Sequence, residues 1–98
     1  MTTSESHRSA VALAYQEGQM APKVVAKGRG IIALEIIKRA KEAGIYVHES
    51  SELVSLLMQV NLDERIPPQL YVAVAELLAW LYRLDQEKMK YLVKDNIL

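Results

Sequence analysis

The chain opens on a polar stretch, residues 1–9, which has no apolar period and is expected to be a loose arm. From Ala10 to Tyr15 the pattern alternates strictly. Val11, Leu13 and Tyr15 fall on one side and Ala10, Ala12 and Ala14 on the other. A period of two predicts a strand over about 10–15, although alanine by itself favours helix. The alanine side leaves room for a neighbouring element to come close. Gln16 to Pro22 contains Gly18 and Pro22 and reads as a loop. The β-branched run Lys23-Val24-Val25-Ala26 predicts a second strand over about 23–27. The period then turns helical. Ile32, Ile36, Ala40 and Ala43 recur on one stripe, widened by Ala33 and Ile37, and predict a helix over about 29–43. Lys38, Arg39 and Lys41 crowd its last turn, where the helix dipole favours cations, and Gly44 supplies the stop.

Ile45-Tyr46-Val47-His48 follows as a third strand over about 45–49. A strand, a helix and a strand joined by short links form a βαβ unit, whose two strands should run parallel. Ser50 or Ser51 can cap a helix over about 51–60, with Leu53, Leu56, Leu57 and Val60 as its stripe. Asn61 to Ile66 is turn-like. Pro67-Pro68 then opens a helix over about 67–84 that carries Leu70, Tyr71, Val74, Leu77, Leu78, Leu81 and Tyr82. Beyond it, Tyr91, Leu92 and Ile97 give only a weak amphipathic signal, so 86–98 is expected to be a helical or loosely ordered tail. The expected architecture is α/β. A small mixed or parallel sheet of three to four strands is packed by helices, within one domain over 10–85.

Composition narrows this picture. Hydrophobic residues make up 51% and charged residues 24%, which fits a globular chain and excludes a disordered tail or a coiled coil. The absence of cysteine excludes disulfides, thiol catalysis and cysteine-based zinc sites. The longest apolar stretch, Leu70 to Tyr82, is interrupted by Glu76 and falls short of the ~20 residues of a bilayer span. Residues 1–9 lack the apolar core of a signal peptide, so a cytoplasmic location is expected. Twelve basic and twelve acidic residues cancel, which argues against nucleic acid or an anionic membrane as a partner. The balance is uneven along the chain, however. Lys23 to Lys41 holds six basic residues and one acid, whereas Glu49 to Glu87 holds seven acids and two bases.

Few residues suggest chemistry. His7 and His48 have no second ligand at a metal-binding spacing, so no metal site is expected, and His48 reads as a solvent-facing strand residue. No cofactor is implied. Serines 4, 6, 9, 50 and 51 lie in no nucleophile elbow. The run Lys27-Gly28-Arg29-Gly30 joins a strand to a helix and suggests one alternative function. In it, Lys23, Lys27 and Arg29 would serve a small nucleotide- or nucleic-acid-binding regulatory domain. The glycine spacing matches neither the P-loop nor the dinucleotide fingerprint, and no aromatic residue is interleaved.

Two longer motifs carry more information. Ala-Val-Ala-Leu-x-Tyr at 10–15 is followed by Met-Ala-Pro-Lys-Val-Val-Ala-Lys-Gly at 20–28. Later come Ile66-Pro67 and Leu70-Tyr71-x-Ala73-Val74-Ala75-Glu76-x-Leu78-Ala79-Trp80. Together they resemble the cytoplasmic C-terminal domain of the FlhB/YscU/EscU family, the specificity-switch proteins of flagellar and type III secretion export. The resemblance implies the same α/β fold and a non-enzymatic role in docking. Its implied partners are flagellar export substrates, the hook-length control protein, and the export apparatus or a truncated FlhB. It implies a shallow apolar patch made of Ala21 and Pro22 with Ala75 and Leu78, though Ala75 and Leu78 equally fit ordinary helix–sheet packing. Lys23, Lys27 and Arg29 border that patch and would steer acidic segments to it.

The departures are as informative. The family carries a four-helix membrane domain and a self-cleaving Asn-Pro-Thr-His motif. Here the corresponding positions are Glu5-Ser6-His7-Arg8, and neither asparagine, Asn61 or Asn96, precedes a proline. A free-standing version of the domain, without self-cleavage, is therefore expected. The family's strand ahead of that motif is also missing, so the sheet should be one strand short. Its exposed edge would be filled by a partner or a second copy.

Overall fold

A computed structural model describes residues 8–16, 21–74 and 88–95. Four strands form one sheet. They are β1 (Ser9–Gln16), β2 (Lys23–Arg29), β3 (Tyr46–Glu49) and β4 (Lys88–Lys94), in the order β2-β1-β4-β3. β1 pairs antiparallel with both β2 and β4, and β4 pairs parallel with β3. The sheet is therefore mixed. β2 and β3 run in the same direction, as the βαβ pattern predicts, but they lie at opposite edges. Helix α1 (Ile31–Glu42) carries the chain across the two strands between them.

The alternation in β1 becomes two layers of core. Val11 and Leu13 pack with Leu53, Val54 and Leu57 of α2 (Ser51–Leu57), and with Val24, Ile66, Val74 and Val93. On the other face Ala10 packs with Ala33, Ile37 and Ala40 of α1 and with Leu92. Alanines face alanines there, so α1 lies close to the sheet. Gly28 of β2, opposite Ala10, belongs to this close contact, because a Cβ at Gly28 would run into the Ile32 side chain. The register between β1 and β2 slips once. Ala12 faces Ala26 and Leu13 faces Val24, which leaves Val25 as a bulge, 40% exposed.

α1 ends where the sequence predicts, whereas α2, expected to run to about 60, stops at Leu57 with Met58 as its C-cap. α1 stops in a Schellman arrangement at Gly44, whose φ is 73°. The Ile45 N–H donates to the Ala40 carbonyl (2.9 Å) and the Gly44 N–H to the Lys41 carbonyl (3.2 Å). Nothing lies within 4 Å of a Cβ at Gly44, so Gly44→Ala should cost only the left-handed backbone penalty, about 1–2 kcal/mol. Thermal unfolding would report it as a Tm drop of roughly 4–8 °C per kcal/mol. At α2, Ser50 Oγ accepts from the Leu53 N–H (3.1 Å). Ser50→Ala should cost about 1 kcal/mol by the same measurement, and Ser50→Asp much less.

Two expectations change. The helix expected over 67–84 begins as a single 3₁₀ turn, Pro68–Leu70, followed by turns to Val74, and the rest lies outside the described residues. The stretch 86–98, expected as a helical or loosely ordered tail, instead contains β4 in the interior of the sheet. β4 also supplies a fourth strand to a sheet expected to be one strand short. The reason is burial on both sides. Leu92 serves the α1 layer and its neighbour Val93 the α2 layer, so the strand has no apolar–polar alternation to read.

Candidate functional site

The candidate site is the corner where the chain turns into β2. Ala21 and Pro22 are both buried, Ala21 at 2% exposure. They are closed in by the stretch 63–66, which lies along the start of β2. The Val24 N–H donates to the Glu64 carbonyl (2.9 Å) and the Asp63 N–H to the Val24 carbonyl (2.7 Å). The Ile66 N–H donates to the Pro22 carbonyl (3.0 Å), and Lys23 and Arg65 form an antiparallel bridge. Arg65 Nη1 reaches back to the Ala21 carbonyl (3.0 Å). The buried carbonyls of the corner are thus both satisfied, Pro22's by the Ile66 N–H and Ala21's by Arg65. Asp63 makes the turn at φ 70°, a conformation aspartate tolerates.

The predicted site residues separate on this geometry. Ala21 and Pro22 shape the corner from beneath the surface. Lys23 is half-buried beside Arg65, and Arg29 is exposed at the far end of β2. Lys27 is already engaged. Its Nζ donates to the carbonyls of Met58 and Val60, both at 2.9 Å, and so closes the C-terminal end of α2. That contact removes one of three cations from any steering or anion-binding role. Ala75 and Leu78 lie outside the described residues, and the last described neighbour, Val74, is buried in the α2 layer. Sequence reasoning named Ile66 only as part of a motif and did not pick out Asp63, Glu64 or Arg65 as site residues. The role of these three depends on contacts with residues some forty positions away, and only the turn-like composition of 61–66 marked them at all.

A concavity lies on the α1 side, an apolar cleft of about 310 Å³ between α1 and the bulged part of β2. Ala12, Val25, Ala26, Ile36 and Ala40 line it, with Arg39 at the rim. Arg39 Nε donates to Glu35 Oε2 (2.9 Å) across one helical turn. That hydrogen bond and the guanidinium charge hold the Glu35 carboxyl below its ordinary value and raise Arg39 in return. A carboxylate whose folded-state pKa is depressed contributes above its unfolded pKa, and the contribution disappears as pH falls through the folded value. The pair therefore supports α1 at neutral pH and not in acid. Both side chains are largely exposed, so Glu35→Gln should barely move the Tm, and less still in high salt.

Among the described residues, no group of three or more histidines, aspartates or glutamates is placed to hold a metal ion. His48 is half-buried on edge strand β3, opposite Val93. No helix among the described residues is long and apolar enough to cross a membrane.

Comparison with known proteins gives this corner and this sheet a context. YlqH of Bacillus subtilis (strain 168) is 45% identical over 80 residues, covering 81% of this chain and 86% of YlqH. The flagellar biosynthetic protein FlhB of Salmonella typhimurium (strain LT2) is 43% identical over 91 residues, covering 91% of this chain but 24% of FlhB. The chain thus spans most of YlqH and about a quarter of FlhB. Among solved structures, the PscU C-terminal domain superposes with a TM-score of 0.68 at 36% identity, covering 78% of this chain and 98% of that one. The cytoplasmic domain of FlhB from Shewanella putrefaciens gives 0.67 at 34%, covering 80% of this chain and 65% of that one. The model of the FlhB HrpN YscU SpaS family matches residues 5–81, and the chain belongs to that family.

Proposed function

We propose that the chain is a non-enzymatic interaction module of a flagellar or type III protein export apparatus. In this reading it works in the cytoplasm in place of the C-terminal part of FlhB. It docks export substrates or the specificity-switch machinery, the hook-length control protein included. The observation that carries the reading is the overlap with the PscU C-terminal domain, 98% of which this chain covers at 36% identity. Docking centres on the Ala21-Pro22 corner. Those two residues are buried, so they set its shape, and the groups a partner meets first are Lys23 and the exposed Arg65. Ala75 and Leu78 supply the apolar part of the patch. Lys23 and Arg29 draw acidic partner segments, so capture should weaken as salt rises.

Self-cleavage has no part in this reading, because Glu5-Ser6-His7-Arg8 holds no Asn-Pro bond. The test is a pull-down of purified export substrates and of an FlhB truncated ahead of the matching region. It is paired with motility in a strain whose FlhB lacks that region. Capture and restored motility are the expected results. No capture of either class and no gain in motility would sink the idea. A loss of capture in Arg65→Ala, with the Tm held, would place the contact at the corner.

A further inference from the structure

β2 lies at one edge of the sheet, and the chain itself uses only the first half of that edge. There Val24 gives both main-chain groups to Asp63 and Glu64, and Lys23 bridges Arg65 in antiparallel fashion. The covering segment is extended and brings two acids to the strand. It joins the edge only at Asp63, where φ is 70°.

The second half of the edge faces outward. On β1, the Ser9 N–H donates to Asp95 Oδ2 and the Ser9 carbonyl accepts from the Asp95 N–H, both on the β4 side. Main-chain direction alternates along a strand, so Val11 also turns to β4, and Ala10 and Ala12 turn to β2. Their register partners follow. Gly28 and Ala26 bond inward to β1, while the Lys27 N–H and carbonyl and the Arg29 N–H point away from the sheet. Among the described residues, none of these three groups has a main-chain partner.

The two faces beside this open half differ in character. Ala26 and Gly28 lie on the α1 face, where Ala26 lines the apolar cleft and Gly28 touches Ile32. That face leaves apolar surface uncovered, since Ile32 is 60% exposed and the cleft opens between Ile36 and Val25. Lys27 lies on the opposite face, and Arg29, two residues on, shares that face and is exposed. β2 as a whole holds three cations and no acid. Two copies paired through this edge would set cation against cation, which disfavours a second copy as occupant. An acidic strand complements the edge, as the 63–66 segment already does at its first half.

We propose that the open edge of β2, residues 25–29, binds an extended acidic segment of a partner protein, antiparallel to β2 in the direction taken by 63–66. The segment alternates acidic and branched apolar residues. Its apolar residues stand beside Gly28 and Ala26, the first covering Ile32 and the second entering the cleft. Its acids stand beside Lys27 and Arg29. Main-chain hydrogen bonds to Lys27 and Arg29 supply affinity, and the alternation fixes the register. This surface lies at the end of β2 away from the Ala21-Pro22 corner and adds to the docking role proposed there.

The test uses the intact chain and a fluorescent peptide, Glu-Val-Glu-Ile-Glu, blocked at both ends. A second peptide with lysine in place of each glutamate is the control. The acidic peptide should bind, more weakly as salt rises, and should slow hydrogen exchange at the Lys27 and Arg29 amides. Arg29→Ala should weaken binding about two- to fivefold, as loss of an exposed ion pair does. Arg29→Pro should abolish it, because proline removes the outward N–H and places its ring in the path of the incoming strand. That N–H has no main-chain partner in the free protein, so thermal unfolding should show the variant folded. If it is not folded, Arg29→Ala and the exchange measurement decide. Equal binding of the lysine peptide, unprotected Lys27 and Arg29 amides, full binding by folded Arg29→Pro, or no binding at all would each overturn the proposal. Self-association of the peptide-free chain that Arg29→Pro removes would assign the edge to a second copy and overturn it too. Capture of export substrates without peptide binding would leave the docking role standing and remove the edge. Peptide binding without substrate capture would do the reverse.

Discussion

Leu92→Ala should lower the unfolding free energy by about 2–5 kcal/mol, read as a fall in the urea midpoint at unchanged slope. Leu92 is fully buried in the α1 layer, where Ala10, Ala33 and Ala40 leave few large side chains to share the space. How much such a deletion costs depends on how far its surroundings can collapse. Here the alanines already bring helix and sheet together, and a small side chain has no rotamer with which to fill a void. The upper part of the range is therefore expected. A loss under about 1 kcal/mol would mean that the layer is not built around β4, and would count against the interior placement of that strand.

Lys27→Met should cost about 1.5–3 kcal/mol, while Arg29→Met should stay within about 0.5 kcal/mol. Methionine keeps most of the aliphatic stem and deletes the ammonium, so the comparison isolates the charge. At Lys27 the ammonium joins two carbonyls at the end of α2, where the helix dipole is negative and the backbone acceptors have no intrahelical donor. Arg29 lies exposed at the end of β2 and has no comparable task. Equal, small losses at both positions would remove the capping role. The difference also bears on binding assays. A Lys27 variant that binds poorly must first be shown to be folded, whereas Arg29 and Lys23 report on electrostatics more directly.

How much of this was legible depended on whether a residue's environment is local. β1 was readable because its two faces meet different layers, so Val11 and Leu13 alternate with alanines. α1 and its stop at Gly44 were readable because helix period and C-cap chemistry are set by near neighbours. The Ser50 cap is local for the same reason. β4 was not readable. Leu92 and Val93 are adjacent and both buried, and Lys94 is a charged residue kept inside by Glu49 and a carbonyl. The sequence pattern there resembles a weak helix because nothing local distinguishes a strand enclosed on both sides. The site was legible only as a set of residue types. Lys27 looked like a surface cation until α2 was placed beside it. Ala21 and Pro22 looked exposed until Ile66 and Arg65 were laid across them.

The interior position of β4 also sets an order of events during synthesis. Ala10 pairs with Lys94, so the centre of the sheet cannot close until a strand made much later has left the ribosome. The β1–β2 hairpin and the two helices emerge earlier and must wait with one edge of β1 unpaired. Contacts of such long sequence separation slow folding, and a waiting strand edge is where misassociation begins. Folding of this chain should therefore be slower than its small size suggests, and most vulnerable to aggregation just before residues 88–94 appear.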